Sequence, residues 1–283
     1  MKAKTTIILI NLFLIFMLLE TGDYRAMENS GERYSRGYNL LKKLDAEGAD
    51  NVIKGLQDIA PEMAGFIIEF AYGDIASRPG LELRHREMAI VAALTALGNA
   101  KPQLKWHIGA ALNTGVTPQQ IIEIMYISTV YHGFPAALNG ISAAREVFKE
   151  KGIKYTPGIR EKVTNRRAMG IRTMDKTSKG AGQMVVESLK DIAPEMSGFI
   201  LEFSYGDIFS RGNLSQKETE IVAIAGMCAA GNQRPQLIVH IRTALNVGLT
   251  EKEIIEVIDQ IAVYAGFPAA LNGISAAREV FKK

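Results

Sequence analysis

Two histidines, His107 and His240, stand at matching places 133 positions apart, each preceded by an acid, Glu87 and Glu220. Imidazole titrates near neutrality, and an acid inside an apolar helix needs a partner or a raised pKa, so both residue types are candidates for general acid–base chemistry. Arg78 and Arg211 follow a helical segment and could hold a carboxylate in a bidentate fork. Tyr131 and Tyr264 precede a Gly-Phe-Pro corner, from which a hydroxyl could reach a ligand. Each residue also has a structural reading: a core histidine bonded to a carboxylate, an acid favoured at a helix start, an arginine at a helix end, a ring that packs. The residue types leave both readings open.

These candidates emerge from comparing the chain with itself. DIAPEMAGFIIEFAYGDIASR at 58–78 returns as DIAPEMSGFILEFSYGDIFSR at 191–211, and YHGFPAALNGISAAREVFK at 131–149 returns as YAGFPAALNGISAAREVFK at 264–282. Residues 51–150 align with 184–283 without a gap, with about 57 of 100 positions identical. A fainter echo pairs Arg33 and Gly37 with Arg166 and Gly170. Chemistry-bearing residues present in both copies include Glu69/Glu202, Tyr72/Tyr205, Asp74/Asp207, Asn113/Asn246 and Asn139/Asn272 beside the candidates above, whereas His85 and His132 become Glu218 and Ala265.

The elements that must position these groups read as helices. Pro61–Ala76 carries one apolar stripe, Leu81–Leu97 is apolar nearly all round and predicts a central buried helix, and Pro102–Asn113 stops before Gly115. Thr117 with Gln120, and Thr250 with Glu253, predict capping boxes. Gly133 should end the helix that follows, and Pro135 should start the last one, to Phe148. No stretch alternates with period two, so the expectation is an all-α chain of two tandem helical-bundle repeats without a β-sheet.

The division expected is a signal peptide or N-terminal anchor over 1–26, a first repeat over 30–150, a linker and leading segment over 151–182 and a second repeat over 183–283. Lys2 and Lys4 ahead of the apolar run to Leu19 imply export, with membrane attachment only through that segment if it stays uncleaved. One cysteine among 283 residues, Cys228, excludes a disulfide framework or a CxxC pair, and its apolar surroundings predict a buried, inert thiol. Four histidines are few for metal chemistry, so neither metal nor cofactor is expected. A net charge of +3 without a strongly basic block, and 7% aromatic residues, call for no nucleic-acid partner.

RYSRGYNLL at 33–41, EFAYGDIASRPGL at 69–81, QLKWH at 103–107, and their continuation through AALNTGVTPQQIIEIM and YHGFPAALNGISAAREVF together resemble the carboxymuconolactone decarboxylase family, within the alkylhydroperoxidase D-like superfamily. The second copy resembles it through EFSYGDIFSRGNL, PQLIVH and ALNVGLTEKEIIEVI. The resemblance implies a helical-hairpin core and ring assembly, which for a two-repeat chain means a homotrimer with pseudo-sixfold symmetry. Peroxidase members of the superfamily carry a Cys-x-x-Cys-x-x-x-His arrangement; here its cysteine positions are Ala100 and Gln103, and Gln233 and Gln236. Thiol peroxidase activity is therefore disfavoured. By resemblance, His107 and His240 would be general acids, Glu87 and Glu220 would tune them, Arg78 and Arg211 would bind the carboxylate of a small-molecule substrate, and Tyr131 and Tyr264 would help bind it. A non-catalytic small-molecule-binding ring protein is the alternative of another class.

Overall fold

The computed structural model describes residues 30–158 and 163–282, and every regular element among them is helical. The signal or anchor expected over 1–26 lies outside the described residues. Among the described residues no helix is long and apolar enough to cross a membrane.

The first repeat comprises α1 (Ser30–Leu44), α2 (Gly48–Leu56), α3 (Pro61–Phe66), α4 (Leu83–Leu97), α5 (Lys101–Asn113) and α6 (Pro118–Glu150). The second comprises α7 (Arg166–Asp175), α8 (Ala181–Leu189), α9 (Pro194–Phe199), α10 (Gln216–Ala230), α11 (Arg234–Asn246), α12 (Glu251–Ala265) and α13 (Phe267–Phe281). The expected caps form: Thr117 accepts from the Gln120 backbone while the Gln120 side chain accepts from Thr117, and Thr250 and Glu253 repeat the exchange. Gly133 interrupts α6 with φ 81°, ψ 167°, and Gly266 separates α12 from α13 with φ 84°, ψ 161°, a conformation that favours glycine.

One element departs from the expected α-helix over Pro61–Ala76. After α3 the chain winds as a π-helix over Ile67–Ala76, and after α9 over Ile200–Ile208. Here α1 and α7 press backbone against backbone. A Cβ on Gly37 would stand 1.8 Å from the Ile68 carbonyl oxygen, and one on Gly170 would stand 1.8 Å from that of Leu201. Arg33 and Arg166 clamp the same contacts through Asp74 and Asp207. The faint Arg/Gly echo in the sequence thus marks the docking of each leading helix.

α4 packs against α10 at the centre of the molecule, and one apolar core runs through both copies, from Leu81 and Met88 to Ile221, Ile224 and Val280. Alanines 89, 92, 93, 223 and 225 are buried in these two helices, where small side chains let helices approach closely. Cys228 lies in this core, and burial pushes its thiol up to about 12.

His132 is packed against α10 at Gly226, where an added Cβ would lie 2.4 Å from its Nε2. Burial lowers its pKa from 6.5 to about 4. The unfolded chain therefore binds this proton more readily, and stability falls as pH drops from about 6.5 towards 4. Chemical denaturation across this window should show about 1–3 kcal/mol of acid-dependent loss from this group, and His132→Ala should flatten that slope.

Candidate active site shared between the repeats

The hairpins α4–α5 and α10–α11 bring each acid to its histidine. Glu87 Oε2 lies 2.8 Å from His107 Nδ1, and Glu220 Oε2 lies 2.7 Å from His240 Nδ1. All four side chains are nearly or fully buried. A carboxylate beside Nδ1 makes that nitrogen the donor, which leaves Nε2 for a second partner.

The tyrosines arrive from the opposite repeat. Tyr131 of the first repeat places its hydroxyl 2.8 Å from His240 Nε2, with ring centroids 5.1 Å apart and nearly perpendicular. Tyr264 of the second repeat stands edge-on to His107 at 5.2 Å, and its hydroxyl pairs with Tyr72. Burial pushes Tyr131 and Tyr264 well above the ordinary phenol range, so both hydroxyls stay protonated near neutrality. The six candidates Glu87, His107, Tyr264, Glu220, His240 and Tyr131 thus form two constellations, each built from both copies.

Arg78 and Arg211 each meet a buried glutamate. Arg78 Nε holds both oxygens of Glu256 at 2.9 and 3.0 Å, and Arg211 Nε holds those of Glu123 at 3.0 and 2.8 Å. Each arginine does grip a carboxylate, with Nε shared between its two oxygens, but the carboxylate belongs to the opposite repeat. The reason is desolvation: Glu123 and Glu256 are almost fully buried in α6 and α12 and need a cation. Arg86, itself 1% exposed, adds a contact of 2.8 Å to Glu256 and donates to the Arg78 carbonyl. Sequence reasoning missed these acids; the signal was the tripeptide IIE at 121–123 and 254–256, an acid set in an apolar helical face in both copies.

Beside His240 lies a cavity of about 170 Å³, whose lining includes Tyr205, Glu220, His240, Thr173, Thr177 and Thr219. The threonines escaped sequence reasoning because the other copy has different residues there. Among the described residues no cluster of His, Cys, Asp and Glu could hold a metal ion.

Removing Glu256 strands the buried Arg86 guanidinium. Glu256→Ala should cost about 3–5 kcal/mol in urea-unfolding free energy, as for a broken buried pair, and Glu256→Gln should cost less.

The model of the carboxymuconolactone decarboxylase family matches residues 61–146 and 194–279. A 4-carboxymuconolactone decarboxylase of Acinetobacter baylyi is 33% identical over 126 residues, covering 44% of this chain and 93% of that protein. A nitrosuccinic acid decarboxylase of Metarhizium robertsii is 31% identical over 118 residues, covering 41% of this chain and 82% of that protein. Among solved structures, a chain from Burkholderia xenovorans assigned as a gamma-carboxymuconolactone decarboxylase subunit shares the fold with a TM-score of 0.56 at 24% identity, over 88% of this chain and 98% of that one.

Proposed function

The chain belongs to the carboxymuconolactone decarboxylase family, and we propose that it decarboxylates a small carboxylated lactone or related acid, with a buried Glu–His pair as its acid–base machinery. The observation that carries this reading is His240, held by Glu220 on one nitrogen and by Tyr131 on the other, at the wall of a cavity. In such a reaction the bond to the carboxylate carbon breaks and carbon dioxide leaves. The electron pair spreads into the unsaturated lactone as a dienolate, and a proton must then be delivered to carbon. An imidazolium at His240 would be stabilised by Glu220 on Nδ1, and its Nε2 proton would reach the carbon once the Tyr131 hydroxyl gives up its contact with that nitrogen. Tyr205, also on the cavity wall and kept protonated by burial, could donate a hydrogen bond to the developing oxyanion.

Arg78 and Arg211 are engaged with Glu256 and Glu123, so the cation proposed to meet the substrate carboxylate is Lys176 on the cavity rim. Thiol-dependent peroxide reduction needs a thiolate, and Cys228 is buried with its pKa raised to about 12.

Purified full-length chain incubated with 4-carboxymuconolactone should release carbon dioxide and lose the substrate's absorbance. The double variant His107→Ala/His240→Ala should lose about 10²–10⁴-fold in rate. Wild-type inactivity, or activity indifferent to both histidines, overturns the reading.

We propose in addition that the chain assembles as a homotrimer. Ile59, Phe66 and Leu138 are exposed in the first repeat, and Ile192, Phe199 and Leu271 are exposed at the matching places in the second. Apolar surface repeated in this way suits an assembly that buries both copies equivalently. Light scattering should give a trimer mass, and a monomer would contradict the proposal.

A further inference from the structure

The two histidine sites share their central residues and differ in what surrounds them. At the offset that aligns the copies, Thr173, Thr177 and Gln216 of the second cavity correspond to Leu40, Leu44 and Leu83. These leucines, with Tyr72 and Trp106, belong to one apolar cluster packed under α1. Leu44 has no exposed surface, whereas Thr177 is only partly buried at the cavity wall. The two positions are equivalent in three dimensions as well: the Asn113 side chain donates to the Leu44 carbonyl, and the Asn246 side chain donates to that of Thr177.

Two further differences act in the same direction. Trp106 stands edge-on to His107 with ring centroids 4.8 Å apart and packs on Tyr72 at 6.2 Å, where the second repeat has Val239, half exposed. Arg86 stands where Thr219 lines the second cavity; its Nη2 meets Glu256 of the opposite repeat, and its Nε and Nη1 are buried without a hydrogen-bond partner among the described residues. The hydroxyl pairing differs too: Tyr131 meets His240 directly, while Tyr264 pairs with Tyr72.

We infer that the working site of this chain is the one at His240, and that the matching site at His107 is plugged by Leu40, Leu44, Leu83 and Trp106 and serves as structure. This deepens the decarboxylase reading and rests on it for the identity of the substrate. The lining names the ligand class. Three threonines, Gln216 and Lys176 offer hydroxyl, amide and ammonium groups around an imidazole, and Met169, Phe209 and Leu214 add an apolar wall, which suits a small carboxylic acid with an apolar ring or chain.

Two measurements on the full chain test this. Diethyl pyrocarbonate acylates neutral imidazoles that it can reach, and peptide mass spectrometry reads each histidine separately, with the partly exposed His85 as the reference. His240 should be modified about ten-fold faster than His107, because reagent can enter only the second cavity. Thr177→Leu copies into the second repeat the residue that fills the first, so the fold has a precedent for it. It should slow labelling of His240 and reduce turnover of 4-carboxymuconolactone to below about a tenth of wild type, whereas two working sites would leave about half. Equal labelling of His107 and His240, or a Thr177→Leu enzyme retaining half its turnover, overturns the inference. Selective labelling of His240 in a wild-type protein that does not turn over the lactone supports the one-sided cavity and counts against the decarboxylase reading instead.

Discussion

A carboxylate taken out of water must find a cation or a donor, and this requirement organises the molecule. Glu87, Glu123, Glu220 and Glu256 are all buried in central helices, two in each repeat, and neither repeat satisfies both of its own acids alone. Glu256 of the second repeat is held by Arg78 and Arg86 of the first, and Glu123 of the first is held by Arg211 of the second. Glu87 and Glu220 are met by histidines of their own repeat, and those histidines are in turn met by tyrosines of the other. The two halves are thus joined by polar groups that neither could leave unpaired, in addition to the apolar core that runs through both.

The duplication takes on a different meaning in this light. Two copies of one unit would ordinarily be two domains, but here α4 and α10 pack together and every histidine site has walls from both copies. Such an arrangement frees the copies to diverge. The acid, the histidine and the tyrosine are the same on both sides, since losing any of them would strand a buried polar partner. The surrounding residues carry no such constraint, and they have become leucine and tryptophan on one side and threonine, glutamine and valine on the other.

Much of the architecture was legible in the chain because it rests on local rules. Capping boxes, a glycine that must take a positive φ and the 3.6-residue spacing of apolar side chains all act within a few residues, and the helices begin and end close to where those signals place them. The π-helical winding of Ile67–Ala76 was not legible. It sits in a contact with α1 made by residues more than thirty positions away, and only the Gly37 and Arg33 echo hinted at it.

By itself the sequence determined the helical class, the two copies, the acids and histidines present in both of them, and the lack of a thiol pair. Tertiary structure alone decided which tyrosine serves which histidine, and that Arg78 and Arg211 grip buried glutamates of the opposite repeat. The physical reason is range. Helix periodicity and capping are settled by near neighbours, whereas the partner of a buried charge is whichever group the packing of distant helices delivers to it. Two identical sets of polar residues can therefore be read from the chain, but which of them faces a cavity depends on side chains that only the folded molecule brings alongside.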